Sequence, residues 1–293
     1  MRYSVSHRTT YQYHSPVAVS HHLLRLRPRD GAHQHTLDFN LQSEPAAAVM
    51  DFRQDYFGNQ VAFITIEGPH REWTITSRSQ LEVLDKPKTD PAATPAWETI
   101  RDLCRGDALA ACAEACEFIF PSSLVPLRAE FKQYAEPAFL RSRPVLEAGI
   151  ELMGRIHRDF KFDTEATTVA TPVDQVLRQR KGVCQDFAHL QIACLRAVGL
   201  PARYVSGYLE TMPPPGQSKL LGADASHAWV QLWCGEAGWV DLDPTNNLLP
   251  AARHITLGWG RDFGDVSPLR GVLVGSGSHQ LKVAVDVNQV PES

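Results

Sequence analysis

The sequence has no excess of positive charge and no long apolar run. Its 293 residues contain 29 Lys and Arg and 33 Asp and Glu, for a net charge of −4. Nucleic-acid-binding domains usually carry a basic surface, so this class is not expected. The longest apolar runs stay well below the ~18 residues of a membrane span, and the first residues lack the apolar stretch of a secretory signal. We therefore expect a cytoplasmic protein that binds neither nucleic acid nor membranes.

Paired CxxC motifs are also absent, and the six cysteines are spread over positions 104, 112, 116, 184, 194 and 234. So few cysteines in a chain of this length do not make a disulfide scaffold, and they fit a reducing compartment. Cys104, Cys112 and Cys116 are separated by seven and three residues, which does not match a zinc knuckle. Because Cys112 and Cys116 fit one face of a helix, we expect neither a metal nor a cofactor.

The pattern of apolar residues divides the chain into two domains. Alternating apolar residues, separated by turn signals, predict short strands over residues 1–85 in a β-sandwich-like domain. Three prolines between residues 85 and 95 indicate a linker. Residues 96–293 are expected to form the second domain, with its core at about 145–290. Their pattern predicts helices up to about residue 180, then one more helix and several strands. The expected fold class is therefore α+β. The proline-rich residues 212–216 predict a stiff exposed loop.

One cysteine lies where a helix is expected to begin. In the segment RKGVCQDF (180–187), Gly182 ends one helix and Cys184 opens the next. The first turn of a helix carries unpaired N–H groups and partial positive charge. These features favour a thiolate and can hold a developing oxyanion. Cys184 is therefore a candidate nucleophile, and position alone leaves a buried structural cysteine as the alternative.

A thiolate nucleophile needs a base, and His227 is our candidate. The histidine nearest in sequence is His189, but five residues along a helix turn it by about 500°, which points it roughly 140° away from Cys184. His189 is therefore expected to cap or pack. His227 begins the expected strand SHAWVQLW, in which residues 227, 229, 231 and 233 share one face.

The acid that orients this base is expected on the adjoining strand. The segment CGEAG (234–238) fits a five-residue hairpin loop that pairs the two tryptophans flanking it. In that register Asp243 lies opposite Trp229, diagonal to His227 and within side-chain reach. Asp241 shares the same face and is the second candidate. A slip of one residue would move both aspartates off that face.

Three tryptophans share the face of His227 in this register, at positions 229, 233 and 239. Aromatic side chains at these positions fit two interpretations equally well: they line a substrate cleft, or they pack in the core. The sequence alone leaves both open.

Several segments resemble a known family. GVCQDFAHL, SHAWV and GWVDLDPTN resemble the three signature blocks of the transglutaminase-like superfamily, which has the papain-like cysteine fold. The resemblance to its bacterial branch extends over nearly the whole chain. It is carried by the segments HHLLRLRPRD, DYFGNQV, RYVSGYL, GADASHAWV and HITLGWGRDFGDVSP. The resemblance implies a triad of Cys184, His227 and Asp243, because the family's acid precedes Pro-Thr. No calcium loop like those of animal transglutaminases is present, so calcium dependence is not implied.

This resemblance implies an enzyme that transfers an acyl group through a thioester on Cys184. Water as the second nucleophile gives a protease or amidase, and an amine gives a protein-glutamine transglutaminase. We favour hydrolysis, because water is always present and nothing in the sequence marks an amine site. The expected partner is a peptide or protein amide, for which the product of a neighbouring peptide-bond ligase is one suggested source. A non-catalytic binding scaffold is the remaining alternative, although such scaffolds have lost the triad.

Overall fold

The computed structural model describes residues 1–105, 112–211, 226–275 and 277–291, so the expected loop at 212–216 lies outside the described residues. The first quarter of the chain is made of strands, which confirms the strand-rich N-terminal region. These strands are β1 (Arg2–Leu24), β2 (Gln34–Glu44), β3 (Val49–Gln54) and β4 (Gln60–Val83).

The N-terminal strands form one antiparallel sheet with the last two strands, β11 (Leu269–Val274) and β12 (His279–Val290). β12 pairs with β1 from Arg2 opposite Val290 to Tyr13 opposite His279. The structure therefore differs from the expected second domain, which was to run to residue 293. The alternating pattern near the C-terminus located a strand, but alternation does not say which sheet edge a strand will cover.

The expected β-sandwich-like domain is built from a single sheet. The longest strands of this sheet, β1 and β4, run through both of its halves. β1 and β4 have 23 and 24 residues, and their pairing shifts register between Gln12 and Val19. On one side of this irregularity the two strands are flanked by β12 and β2, and on the other side by β11 and β3. One buried cluster contains residues from both halves, including Tyr13, Val17, Leu24, Ile64, Ile66, Trp73 and Ile75.

The helices follow β4 in the sequence. They are α1 (Trp97–Leu103), α2 (Ala113–Cys116), α3 (Ala129–Ala135), α4 (Val145–Asp159), α5 (Val173–Gln179), α6 (Cys184–Ala197) and α7 (Phe263–Val266). Three of them, α3, α4 and α5, contact the long helix α6. In α4, Leu146, Met153 and Ile156 are buried at helical spacing. α6 is buried along most of its length, so its position is fixed on all sides.

The second sheet lies against α6. It comprises β7 (Ala202–Leu209), β8 (Ser226–Trp233), β9 (Trp239–Leu242) and β10 (His254–Gly260), in the order β10-β7-β8-β9. β5 (Lys161–Phe162) and β6 (Lys181–Gly182) form a separate short parallel pair. A Cβ on Gly207 in β7 would lie 2.1 Å from the Ile255 carbonyl oxygen and 2.5 Å from the Trp229 ring, so only glycine allows this close approach.

The N-terminal sheet covers the edge strand β10. The Asn59 side-chain amide donates to the Trp259 carbonyl (2.8 Å) and accepts from the Trp259 N–H (3.0 Å). Gln34 makes the same pair of hydrogen bonds with Thr256, each 2.8 Å long. These amides take the place of a missing neighbour strand. A buried apolar cluster continues the contact and joins Tyr3, Val5, Leu81, Val83, Val285 and Val287 to Tyr208, Ala252, Ile255 and Leu257.

Within the described residues, no helix combines the length and the apolar character that crossing a membrane requires.

Candidate active site

Cys184 is the first residue of α6, as the sequence predicts, and its side chain is partly exposed. The helix start is fixed by Asp186, whose carboxylate accepts the Val183 N–H (2.8 Å) and the Thr167 hydroxyl (2.6 Å). A Cβ on Gly182 would lie 2.6 Å from that carboxylate, so the glycine makes room for it. The thiol is thereby held at the positive end of a 14-residue helix.

His227, at the start of β8, lies between the thiol and the predicted acid. Its Nε2 is 2.8 Å from Oδ2 of Asp243, and Cys184 lies close enough to the imidazole to raise its pKa. Burial by itself lowers the pKa of His227, but the hydrogen bond to Asp243, the charge of that carboxylate and the neighbouring Cys184 sulfur outweigh it and raise the pKa to about 9. The imidazolium form is therefore favoured at neutral pH.

Asp243 is fully buried and is held by hydrogen bonds on both carboxylate oxygens. Oδ1 accepts the backbone N–H groups of Thr245 (3.0 Å) and Asn246 (3.2 Å) in the turn that follows. Oδ2 accepts the Asn246 side-chain amide (2.8 Å) in addition to His227. Burial raises the pKa of Asp243, but hydrogen bonds from His227, His254 and Asn246 lower it by more. The pKa of Asp243 therefore lies well below its usual range. Asp243 is therefore an ionised acceptor.

The strand register explains why Asp243, and not Asp241, reaches the histidine. β8 and β9 pair Trp233 with Trp239 and Gln231 with Asp241, which confirms the predicted hairpin. Asp241 accepts the Trp229 indole N–H at 2.7 Å, and its other carboxylate oxygen pairs with Lys86. It makes no contact with His227 among the described hydrogen bonds.

His189 lies on α6 in a buried position and takes part in packing, as predicted. Its Nε2 accepts the backbone N–H of Phe263 at 3.1 Å, and its ring lies 4.9 Å from that of Tyr204. Burial lowers the pKa of His189 to about 4, with Asp262 opposing and Arg196 adding to the shift. A neutral acceptor turned toward a backbone N–H does not act on Cys184.

The three tryptophans have three different environments. Trp229 is fully buried, with its ring 6.1 Å from that of His227, so it supports the site from within the core. Trp233 packs against the apolar core. Trp239 lines a cavity of about 940 Å³ between the two sheets. Cys184 and His227 are not among the lining residues of that cavity, so it is separate from the thiol.

The structure adds His254, which the sequence did not single out. Its Nε2 is 3.1 Å from Oδ2 of Asp243, and the residue is buried at the start of β10. Burial is the largest influence on its pKa and lowers it despite the carboxylate. His254 is therefore a neutral donor, and His227 is the charged partner of Asp243. The segment HITLGWGRD drew attention to this strand, but only its pairing with β7 brings His254 to the acid.

Two family models match this chain. The model of the bacterial transglutaminase-like N-terminal region matches residues 3–82, and that of the transglutaminase-like superfamily matches residues 132–244. An uncharacterized protein of Mycobacterium tuberculosis is 41% identical over 98% of this chain and 92% of its own length. One of Mycobacterium leprae is 31% identical over 99% of both chains.

Two further relatives concern activity and fold. A protein-glutamine gamma-glutamyltransferase of Pseudomonas aeruginosa is 37% identical over 97 residues, which are 32% of this chain and 14% of that protein. A crystal structure of a candidate cysteine protease from Cytophaga hutchinsonii covers 100% of this chain and 92% of its own, with a TM-score of 0.76 and 19% identity. At that identity the likeness shows the fold. The chain is a bacterial transglutaminase-like protein, a member of the transglutaminase-like superfamily with its papain-like cysteine fold.

Proposed function

We propose that this protein is a cysteine-dependent enzyme that breaks amide bonds through a thioester on Cys184 and passes the acyl group to water. The observation that carries the proposal is the imidazole of His227, which is hydrogen-bonded to Asp243 and interacts with Cys184. Nucleophile, base and orienting acid in this sequence of contacts are what covalent acyl transfer needs.

In the first half-reaction the sulfur of Cys184 attacks the amide carbonyl carbon after its proton has passed to His227. A carbon–sulfur bond forms, and the carbonyl oxygen becomes an oxyanion that the N–H at the start of α6 can hold. When the carbon–nitrogen bond breaks, His227 gives its proton to the leaving nitrogen. The raised pKa of His227 favours the protonated state that this step uses.

In the second half-reaction a water molecule attacks the thioester carbon. His227 takes a proton from that water, the carbon–sulfur bond breaks, and a carboxylic acid and the Cys184 thiol are released. Asp243 stays ionised throughout and stabilises the imidazolium each time it forms. The proposed substrate is therefore an amide of a peptide or protein.

Transfer to an amine is the second candidate. The likeness to the Pseudomonas aeruginosa protein-glutamine gamma-glutamyltransferase, 37% identical over 97 residues, favours this candidate. An amine would take the place of the water without any change in the first half-reaction. The two candidates differ only in the acceptor that reaches the thioester.

The test incubates the purified chain with a library of glutamine-containing and other amide peptides, with and without a biotinylated alkyl amine. Mass spectrometry then identifies the products. A carboxylic acid formed in the presence of the amine supports hydrolysis. An amine adduct as the main product shows instead that the enzyme transfers the acyl group to amines. No product, together with no selective labelling of Cys184 by a thiol-reactive amide probe, overturns the proposal and leaves a binding scaffold.

A further inference from the structure

Three cysteines that lie apart in the sequence meet in a small separate core. Cys104 follows the end of α1, Cys112 precedes α2 and Cys116 ends it. Their sulfur atoms all lie within 4.8 Å of one another, and the three residues are 1%, 5% and 3% exposed. The spacing of the three cysteines argued against a zinc knuckle and did not predict this contact. The contact forms because the end of α1 brings Cys104 next to Cys112 and Cys116, which lie one helical turn apart at α2.

We propose that Cys104, Cys112 and Cys116 form a binding site for a thiophilic divalent cation of the zinc class. The site is distinct from Cys184, and the proposal does not depend on the proposed function.

The distances suit such an ion. Zinc–thiolate bonds of about 2.3 Å at tetrahedral angles place ligand sulfurs roughly 3.8 Å apart. Cys112 and Cys116 are 3.0 Å apart at their sulfur atoms, and no pair in the cluster exceeds 4.8 Å. Movements of about 1 Å or less at each sulfur therefore complete three arms of a tetrahedron. The fourth position would be open to water or another small ligand.

Charge favours a divalent over a monovalent ion. Three thiolates with a dication leave a net charge of −1, whereas a monovalent ion such as copper(I) leaves −2. The cluster packs against Leu103, Ile119 and Trp233, and an apolar surrounding penalises the larger residual charge more. Zinc binds the thiolate form of cysteine, so binding at neutral pH must release protons.

A Cys112–Cys116 disulfide is the competing use of these residues. It would employ two sulfurs and leave the third, Cys104, without a role. A metal ion accounts for all three, so the geometry favours it. The ion would also tie the segment around α2 to Trp233, the last residue of the strand that begins near His227.

The test uses the full chain carrying Cys184→Ala, because a reactive thiol beside an imidazole would itself take up soft metals. Titration with cadmium chloride, a zinc substitute with a strong sulfur-to-metal absorption, is expected to saturate at one ion per chain. Zinc should displace the cadmium. Cys104→Ser or Cys116→Ser should weaken binding more than the roughly 100-fold that losing an outer-shell partner costs. Cys234→Ser, which removes an equally buried thiol outside the cluster, should bind like the parent.

If a cluster variant fails to fold, the parent chain still decides. Binding should then release protons into a weakly buffered solution and raise the midpoint of thermal unfolding in proportion to free metal. Binding that survives loss of Cys104 and Cys116 overturns the proposal, as does the absence of any binding. An intact mass that shows a Cys112–Cys116 disulfide in protein purified without reductant also overturns it.

Discussion

The two cysteines of α6 occupy opposite environments on the same helix. Cys184 opens the helix, is partly exposed and interacts with the imidazole of His227. Cys194 lies ten residues further on, is fully buried, and has a pKa raised far above its usual value by burial, against a small opposing influence of Arg155 and Arg180. Residue type and helix are identical, so the expected difference in reactivity comes from what surrounds each sulfur.

The comparison teaches that a nucleophile is defined by its partners. Cys194 has apolar neighbours and a thiol that stays protonated, which suits packing. Cys184 has a histidine whose charge is held by a buried carboxylate. Each of the following predictions removes one part of that second environment.

Replacement of the sulfur should have the largest effect. Cys184→Ala should lower the rate of amide cleavage by about a thousandfold or more, because no covalent intermediate can form. Cys194→Ala is the matched control on the same helix. It should keep the rate per folded molecule while lowering stability by roughly 1–3 kcal/mol, since it leaves a small cavity. Steady-state rates and urea unfolding measure the two effects, and equal rate losses in both variants would break the comparison.

Removal of the orienting charge should cost less. Asp243→Asn should lower the rate by about 100-fold, because His227 loses its fixed tautomer and the charge that stabilises its protonated form. Asp241→Asn on the same strand is the control, since Asp241 contacts Trp229 and Lys86 instead. Its rate should stay within a few-fold of the wild type. A loss in Asp241→Asn as large as that in Asp243→Asn would contradict the assignment.

The pH dependence of stability should separate two histidines. The folded pKa of His227, about 9, is above the unfolded value of 6.5, so its stabilisation is complete below pH 6.5 and is lost as pH rises through 9. The difference in unfolding free energy between wild type and His227→Gln should shrink over this window by an amount on the order of 3 kcal/mol. Urea unfolding at several pH values measures it.

His189 provides the opposite sign for that experiment. Burial lowers its pKa to about 4, so the unfolded chain binds more protons between pH 4 and 6.5. The wild type should therefore gain stability relative to His189→Gln as pH rises through this lower window. A His227→Gln difference that does not change between pH 6.5 and 9 would show that the imidazole is not held charged.

The smallest effect is expected at His254, a positioning residue that acts through Asp243. His254→Phe should lower kcat by about tenfold, the equivalent of one hydrogen bond to a charged group. It should also move the alkaline limb of the pH profile to higher pH, because Asp243 then attracts the proton on His227 more strongly. His254→Gln restores a donor and should recover most of the rate. An unchanged pH profile in His254→Phe would reduce the residue to packing.

Local patterns were enough to predict much of the site. The apolar spacing after Cys184 locates α6, and the alternation SHAWVQLW locates β8. The preceding helix ends at Gln179 and Gly182 lies in β6, so the prediction that Gly182 ends this helix was wrong. The short loop between β8 and β9 sets the register, which places Asp243 near His227. The residue pattern left both Asp241 and Asp243 as candidate acids. The family resemblance favoured Asp243, and the hydrogen bond between Asp243 and His227 agrees with that choice.

Contacts between distant segments could not be predicted. His254 reaches Asp243 because β10 pairs with β7, and Cys104 reaches Cys112 because α1 ends beside α2. β12 returns to β1 across almost the full length of the chain. In each case the sequence shows an element, while its partner depends on which edge or surface is left uncovered when the rest has folded.

The sequence by itself determined the helix start at Cys184, the strand of His227 and the hairpin that carries the acid, because these follow from periodicity and turn chemistry over a few residues. The tertiary structure alone decided that His227 is charged while His254 and His189 are neutral. Charge state depends on burial and on hydrogen-bond partners from other strands and helices, and no local pattern encodes either.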